Sequence, residues 1–317
     1  MQPTYITYED AYVHLTWDDA VEAIRSGHTL PKAEIGDLFL GPDSGTMLNR
    51  AAFIDSVGYG LKSVTVFSGN AARNLPTVQG AMMVFDPHDG QLRAIIESRL
   101  VTEFKTAADS VLGAKMLARA DSRKLLVVGA GTVAGSLIKA YSAAMPSLTE
   151  ITIWARRAQQ AEALLETFDD HPVTLKVSDN LETACETADI ISCATMAREP
   201  ILRGENIKPG THVDLIGAFK ANMREADDAL ISGGSLYVDS RDTTIGHIGE
   251  IIIPMQAGVI TEASIRGDLY DLIAGDISGR KTSDEVTIFK NGGGAHLDLM
   301  IASYIAKQLA AENKYVS

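Results

Sequence analysis

The sequence predicts an α/β protein: a doubly wound parallel sheet plus a smaller, discontinuous α+β domain. Three observations predict it. Short apolar runs alternate with helical patterns through the middle of the chain, as βαβ units do. A glycine-rich turn follows the first of these runs directly. Before residue 119 the rhythm is different, with extended stretches joined by turn residues, and after residue 295 an apolar-faced helix closes the chain.

Taken in order, the first zone opens with a helix signal at Thr16-Trp17-Asp18-Asp19. Thr16 can cap the free amides while Asp19 reaches back, and Val21 and Ile24 begin an apolar face. Residues 61–67 read as β from their branched side chains. Residues 81–85 and 92–96 flank Asp86-Pro87-His88-Asp89-Gly90, which has the composition of a hairpin turn. A helix over 106–119, with Val111, Leu112 and Met116 on one side, ends the zone. In the second zone strands are expected at 124–128, 151–154, 174–177, 189–193, 212–216 and 236–239. Helical spacing appears at Val133, Leu137, Ile138 and Tyr141, and again over 158–168. The last zone holds a strand at 286–289, a loop at Gly292-Gly293-Gly294, and a helix carrying Leu297, Met300, Ile301, Tyr304 and Ile305. That helix is expected to pack back on the first zone. The expected domains are therefore 1–118 with 296–317, and 119–295.

Composition limits the function. The chain has 317 residues, and a domain pair of that size buries about 75% of its unfolded surface without staples. A formal charge of −13 repels phosphate, so nucleic acid is not an expected partner. No apolar run approaches the roughly 18 residues of a membrane span. Two cysteines, Cys185 and Cys193, and a start without a basic, apolar leader lead to the expectation of a soluble, cytoplasmic protein.

The sharpest chemical signal is Gly129-Ala130-Gly131-Thr132-Val133-Ala134, set between an apolar strand and an amphipathic helix. Gly129 permits the tight turn, Gly131 lets backbone approach a pyrophosphate, and Ala134 keeps helix close to strand. The free amides of the helix then meet the phosphates, as in a Rossmann dinucleotide site. An NAD site usually places an acid about 20 residues on. Here the second strand ends Trp154-Ala155-Arg156-Arg157 instead. Two guanidiniums suit a 2′-phosphate, which favours NADP(H) with NAD(H) possible; the alternative is that both arginines are simply solvated at a helix start.

Cations recur in the first zone at Arg50, Lys62, Arg73, Arg99 and Lys105. Any one of them is most simply a solvated surface base, but an anionic substrate needs such fixed charges. The seven histidines show no ligand spacing, so no metal is expected, and no serine-hydrolase elbow is present. Asn291 and Gly292, before the last helix, read either as a second anion or nicotinamide contact or as a plain turn.

Together Lys105-Thr106-Ala107-Ala108, Val128-Gly129-Ala130-Gly131-Thr132, Ile153-Trp154-Ala155-Arg156, Ile216-Gly217-Ala218-Phe219 with Met223-Arg224-Glu225, and Phe289-Lys290-Asn291-Gly292 resemble the ornithine cyclodeaminase/mu-crystallin family over nearly the whole chain. The resemblance implies a homodimer whose subunits pair a Rossmann domain with a substrate-binding and dimerisation domain. It also implies cyclodeaminase, ketimine reductase or amino-acid dehydrogenase chemistry. Arg50 and Lys62 match the family's basic residues at the substrate carboxylate and reacting carbon. Lys105 stands where Arg is usual, a point charge in place of a planar fork. Ala194, Thr195 and Gly217 are further expected cofactor contacts. The cyclodeaminases carry an Asp shortly after the glycine pair, where this chain reads Gly217-Ala218-Phe219-Lys220, so cyclodeamination is not expected.

The expected activity is NAD(P)H-dependent reduction of a small α-imino acid to an L-amino acid. Lys62, Arg50 and Lys105 would be the catalytic set. Iminosuccinate, with Arg73 on its second carboxylate, and a cyclic ketimine such as 1-pyrroline-2-carboxylate are comparable substrates. An alanine-type dehydrogenase and a non-catalytic nucleotide or small-ligand binder are the alternatives.

Overall fold

The computed structural model describes residues 3–42, 44–73 and 75–312. Its chain divides into two compact units, Met1–Lys105 with Gly294–Ser317, and Thr106–Gly293. Residues 1–2 and 313–317, part of the expected first domain, lie outside the described residues.

In the first unit six strands form one sheet: β1 (Thr4–Ile6), β2 (Glu34–Leu40), β3 (Thr46–Ile54), β4 (Gly58–Val66), β5 (Val78–Phe85) and β6 (Leu92–Glu97). Their order is β1-β6-β5-β4-β3-β2, with β1 parallel to β6 and the other neighbours antiparallel. Alternation gives the sheet one apolar face, where Ala52, Ile54, Val64, Met82, Val84, Ala94 and Ile96 are buried. The terminal helix, Ala295–Glu312, packs on this sheet. Gly60 lies under this contact: a Cβ there would stand 2.5 Å from the Met82 methyl and 3.0 Å from a Leu299 methyl.

Strands β2 and β3 have no counterpart among the extended stretches expected from the sequence. The reason is visible in β2, which is exposed along its whole length as an edge strand and so shows no alternation. The β5–β6 turn forms as its composition predicts, with Asp86 Oδ1 accepting from the His88 and Asp89 amides. At the Trp17–Gly27 helix, Thr16 accepts from the Asp19 amide as expected. Asp19 reaches back only to the Thr16 hydroxyl, because the Thr16 amide donates to the Tyr304 hydroxyl instead.

The helix expected over 106–119 runs from Ser98 to Leu117. Leu100, Val101 and Phe104 carry its buried face back through the extra two turns.

In the second unit eight strands are all parallel: β7 (Lys124–Val128), β8 (Glu150–Trp154), β9 (Thr174–Val177), β10 (Ile190–Cys193), β11 (His212–Leu215), β12 (Ser235–Val238), β13 (Ile265–Gly267) and β14 (Thr287–Lys290). Their order is β13-β12-β14-β11-β10-β7-β8-β9. The chain winds one way from β7 through β8 to β9 and the other way from β10. The topological switch point therefore lies between β7 and β10, where open α/β sheets bind ligands. The fold is the expected Rossmann-type sheet with a smaller α+β unit.

Candidate active site

The glycine turn leaves β7 at this switch point. Gly129 has φ +125°, and a Cβ there would stand 2.6 Å from the Ala194 carbonyl oxygen, so only glycine lets the turn pass the end of β10. Gly131 is the N-cap of the Thr132–Ala144 helix and makes no side-chain cap bond. A Cβ on Gly131 would meet nothing within 4 Å. Gly131 and Thr132 are exposed, whereas Ala134 is fully buried against the sheet. Open space over an uncapped helix start fits a dinucleotide pyrophosphate.

The loops after β10 and β11 are held by buried carboxylates to which the sequence alone assigns no role. Glu225 Oε1 accepts from the Thr195 amide and hydroxyl, both at 2.8 Å, and its Oε2 accepts from the Gly217 amide at 2.7 Å. Glu250 in turn accepts from the Glu225 and Ala226 amides at 2.8 and 2.9 Å. Burial, reinforced by Glu225, raises the Glu250 carboxyl to about 7. Thr195 and Gly217 thus present a fixed backbone surface rather than free donors.

Asp239 does the same work beyond β12. Its Oδ2 accepts from the Gly292 and Gly293 amides, and its Oδ1 from the Ser240 amide and the Thr244 hydroxyl. The Asn291 amide group donates to the Thr106 carbonyl and the Ser110 hydroxyl. Asn291 and Gly292 spend these donors inside the unit, as a turn does.

At the end of β8 the two arginines differ. Arg157 Nε donates to Gln160, whereas Arg156 is exposed and makes no hydrogen bond or ion pair with a described residue. Ala218 is buried and Phe219 half exposed, and neither carries an ionisable group.

In the first unit, strand register brings the cations together. Asp37, Arg50, Lys62 and Met82 are successive partners across β2, β3, β4 and β5. Arg50 pairs with Asp37 through Nε and Nη2, both at 3.0 Å. Lys62 is 6% exposed, and its Nζ donates to Asp298 Oδ1 of the terminal helix at 2.6 Å. Burial pulls the Lys62 ammonium down to about 8; Asp298 opposes this, and Lys105 and Arg50 reinforce it. Lys105, 7% exposed, makes no hydrogen bond or ion pair with a described residue. His296 is also buried here. Burial, with His28, Lys105 and Arg50, holds it well below the usual imidazole range and so neutral.

Lys62, Arg50 and Lys105 therefore share one electrostatic environment. Arg73 does not join them: it is exposed at the end of the Ser68–Arg73 turn and is not among the charges that act most strongly on Lys62. Asp298 and Asp37 were missed. The one signal for Asp298 is an acid set between Leu297 and Leu299 in an otherwise apolar helix face.

Among the described residues no group of three or more His, Cys, Asp or Glu is placed to hold a metal, and no helix is long and apolar enough to cross a membrane. Cys185 and Cys193 are buried and unpaired.

Residues 49–313 match the ornithine cyclodeaminase/mu-crystallin family. A Delta(1)-pyrroline-2-carboxylate reductase of Paracoccus denitrificans is 60% identical over 308 residues, which cover 97% of this chain and 98% of that protein. The solved Delta(1)-pyrroline-2-carboxylate reductase of Thermococcus litoralis, in complex with NADH and L-proline, is 26% identical with a TM-score of 0.92 and covers 98% of both chains. The iminosuccinate reductase of Paracoccus denitrificans, in complex with NAD+, is 25% identical with a TM-score of 0.89, covering 99% of this chain and 98% of its own.

Proposed function

The chain belongs to the ornithine cyclodeaminase/mu-crystallin family, and on that premise we propose that it is a nicotinamide-dependent imine reductase whose substrate is the cyclic ketimine Delta(1)-pyrroline-2-carboxylate, giving proline. The observation that carries the reading is the buried cation group of Lys62, Lys105 and Arg50, in which Lys105 has no counter-charge among the described residues and Lys62 has only Asp298. A small carboxylate with an adjacent imine supplies the missing partners.

When bound, the reduced nicotinamide supplies the hydride that the imine carbon accepts. The turn at Gly129, Ala130 and Gly131, with the amides at Thr132 and Val133, holds the pyrophosphate. Ala194, with Thr195 and Gly217 fixed by Glu225, would form the surface that receives the ring half. Arg50 and Lys105 bind the substrate carboxylate, and Lys62 presents its proton to the imine nitrogen, which becomes the amine N–H. Asn291 and Gly292 act through the turn that anchors the Ser98–Leu117 helix. Arg156, more than Arg157, meets a 2′-phosphate, so NADPH is the preferred coenzyme.

Two features favour the cyclic monocarboxylate over iminosuccinate. The Paracoccus relative at 60% identity carries the pyrroline name, while the iminosuccinate reductase of the same organism is only 25% identical. Arg73, the cation offered for a second carboxylate, is exposed and does not act with the others. Replacement of the cyclodeaminase Asp by Ala218 or Phe219 leaves no partner there for an ornithine amine.

The outer face of the first unit's sheet exposes Leu38, Leu40, Met47 and Tyr59, and a second copy of the chain covers it in a homodimer. A reducing cytoplasm suits two buried thiols. The test is a substrate panel: purified protein is offered Delta(1)-pyrroline-2-carboxylate, iminosuccinate, and pyruvate with ammonium, each with NADPH and with NADH. Oxidation of NADPH by the pyrroline alone is expected. A strict need for ammonium with pyruvate would instead indicate the alanine-type dehydrogenase.

A further inference from the structure

We propose that Asp298 is a positioning residue of the reductase site, holding the Lys62 ammonium in its charged state and in one orientation. The inference rests on the reading of Lys62 as the proton donor and adds the group on which that donor depends.

The geometry carries it. Lys62 Nζ and Asp298 Oδ1 stand 2.6 Å apart, and both side chains are buried. Every other strong charge around the ammonium opposes it: Arg50 from β3 and Lys105 from the Ser98–Leu117 helix are both cationic. His296 from the terminal helix and His28 beside it are buried next to the same cations, and His296 is neutral. Met82, the β5 register partner, has no charge. Asp298 alone favours the protonated lysine.

The carboxylate is itself secured. It lies in the first turn of an 18-residue helix, where the helix dipole favours negative charge.

The pair also keeps bonding capacity in reserve. Asp298 Oδ2 is buried and has no hydrogen-bond partner among the described residues, and Lys62 makes no other bond to them. Glu225, Glu250 and Asp239 each spend both oxygens on the loops they hold, whereas Asp298 keeps one oxygen unspent, as Asp214 on β11 does. Here one short contact fixes the ammonium, and the remaining donors and acceptor stay unspent.

The test measures Lys62 directly, without substrate or coenzyme. Competitive labelling of the full-length protein with acetic anhydride across pH, read at Lys62 by mass spectrometry, gives the midpoint of amine deprotonation. In Asp298→Asn the midpoint is expected to fall by about one pH unit or more, since the opposing cations remain. Asp298→Glu is expected to restore the midpoint. Its longer side chain displaces the ammonium, so kcat for pyrroline reduction should still fall about ten-fold while KM changes little.

The falling limb of the kcat profile at alkaline pH should move with the labelling midpoint. An unchanged midpoint in folded Asp298→Asn overturns the proposal. Should that variant not fold, Asp298→Glu decides: a wild-type kcat contradicts positioning, and a reduced kcat with a wild-type midpoint supports it. Absence of imine reduction by the wild type would overturn the functional reading instead, while the labelling midpoints still judge Asp298.

Discussion

Both units bury charge, and two of their clusters treat it in opposite ways. In the Rossmann unit Glu225, Glu250 and Asp239 are fully buried, and each of their six oxygens accepts at least one hydrogen bond from the loops around the switch point. In the sheet unit Lys62 has one partner, Lys105 has none among the described residues, and Asp298 leaves one oxygen unspent. Satisfied networks hold a shape, because each member already has what water would have given it. A half-satisfied cluster costs stability until something else supplies the missing partners. On the proposed function, the first set frames the coenzyme and the second grips the substrate.

The largest expected break comes from the unsatisfied side. Lys62→Met should lower kcat/KM by about 10³-fold, within the range for loss of a general acid, while coenzyme affinity measured by fluorescence titration stays within about two-fold. Arg50→Ala removes a carboxylate anchor. It should raise KM for the pyrroline about ten-fold or more with a smaller change in kcat, which steady-state kinetics resolves.

On the satisfied side the cost moves from turnover to folding. Glu225→Ala strands the Thr195 and Gly217 donors and should lower unfolding stability by about 1–3 kcal/mol in urea titrations. An Arg50→Ala variant that lost more stability than Glu225→Ala would invert the comparison. Smaller still, Arg156→Ala should weaken NADPH about ten-fold with NADH little changed, and Arg157→Ala should do less because Gln160 already holds that side chain.

Stability against pH separates the two regions by sign. Lys62 titrates near 8 in the fold and near 10.5 when unfolded, so the unfolded chain binds more protons between those values. This group's contribution to stability therefore rises with pH across that window, by about 3 kcal/mol in all. Glu250 runs the other way. Its carboxyl sits at about 7 in the fold and 4.5 outside it, so its contribution falls as pH rises from 4.5 to about 7. Urea titrations of the wild type and Glu250→Gln should differ in slope across the lower window only. At neutral pH the proton on buried Lys62 thus costs the fold stability.

The legible parts of the molecule were those where local chemistry and global role coincide. Gly129, Gly131 and Ala134 are demanded by the turn itself, so the Rossmann sheet and its glycine turn could be read from residue types alone. Lys62 and Arg50 were visible as charges, but their partnership needed the β3–β4 register, which no local pattern encodes. Edge strand β2 hid because exposure on both faces erases alternation, and with it went Asp37. Asp298 and Glu225 hid for a related reason. A single acid in a helix or loop looks solvated until tertiary packing removes the water, and only the fold shows which amide or ammonium has taken its place.

The most direct test is diffraction from crystals of the protein grown with NADPH-derived coenzyme and soaked with L-proline. The expected result is the proline carboxylate on Arg50 and Lys105, with its nitrogen beside Lys62. Proline bound elsewhere, with these three side chains left without a ligand contact, would contradict the assignment of the buried cations as the substrate site.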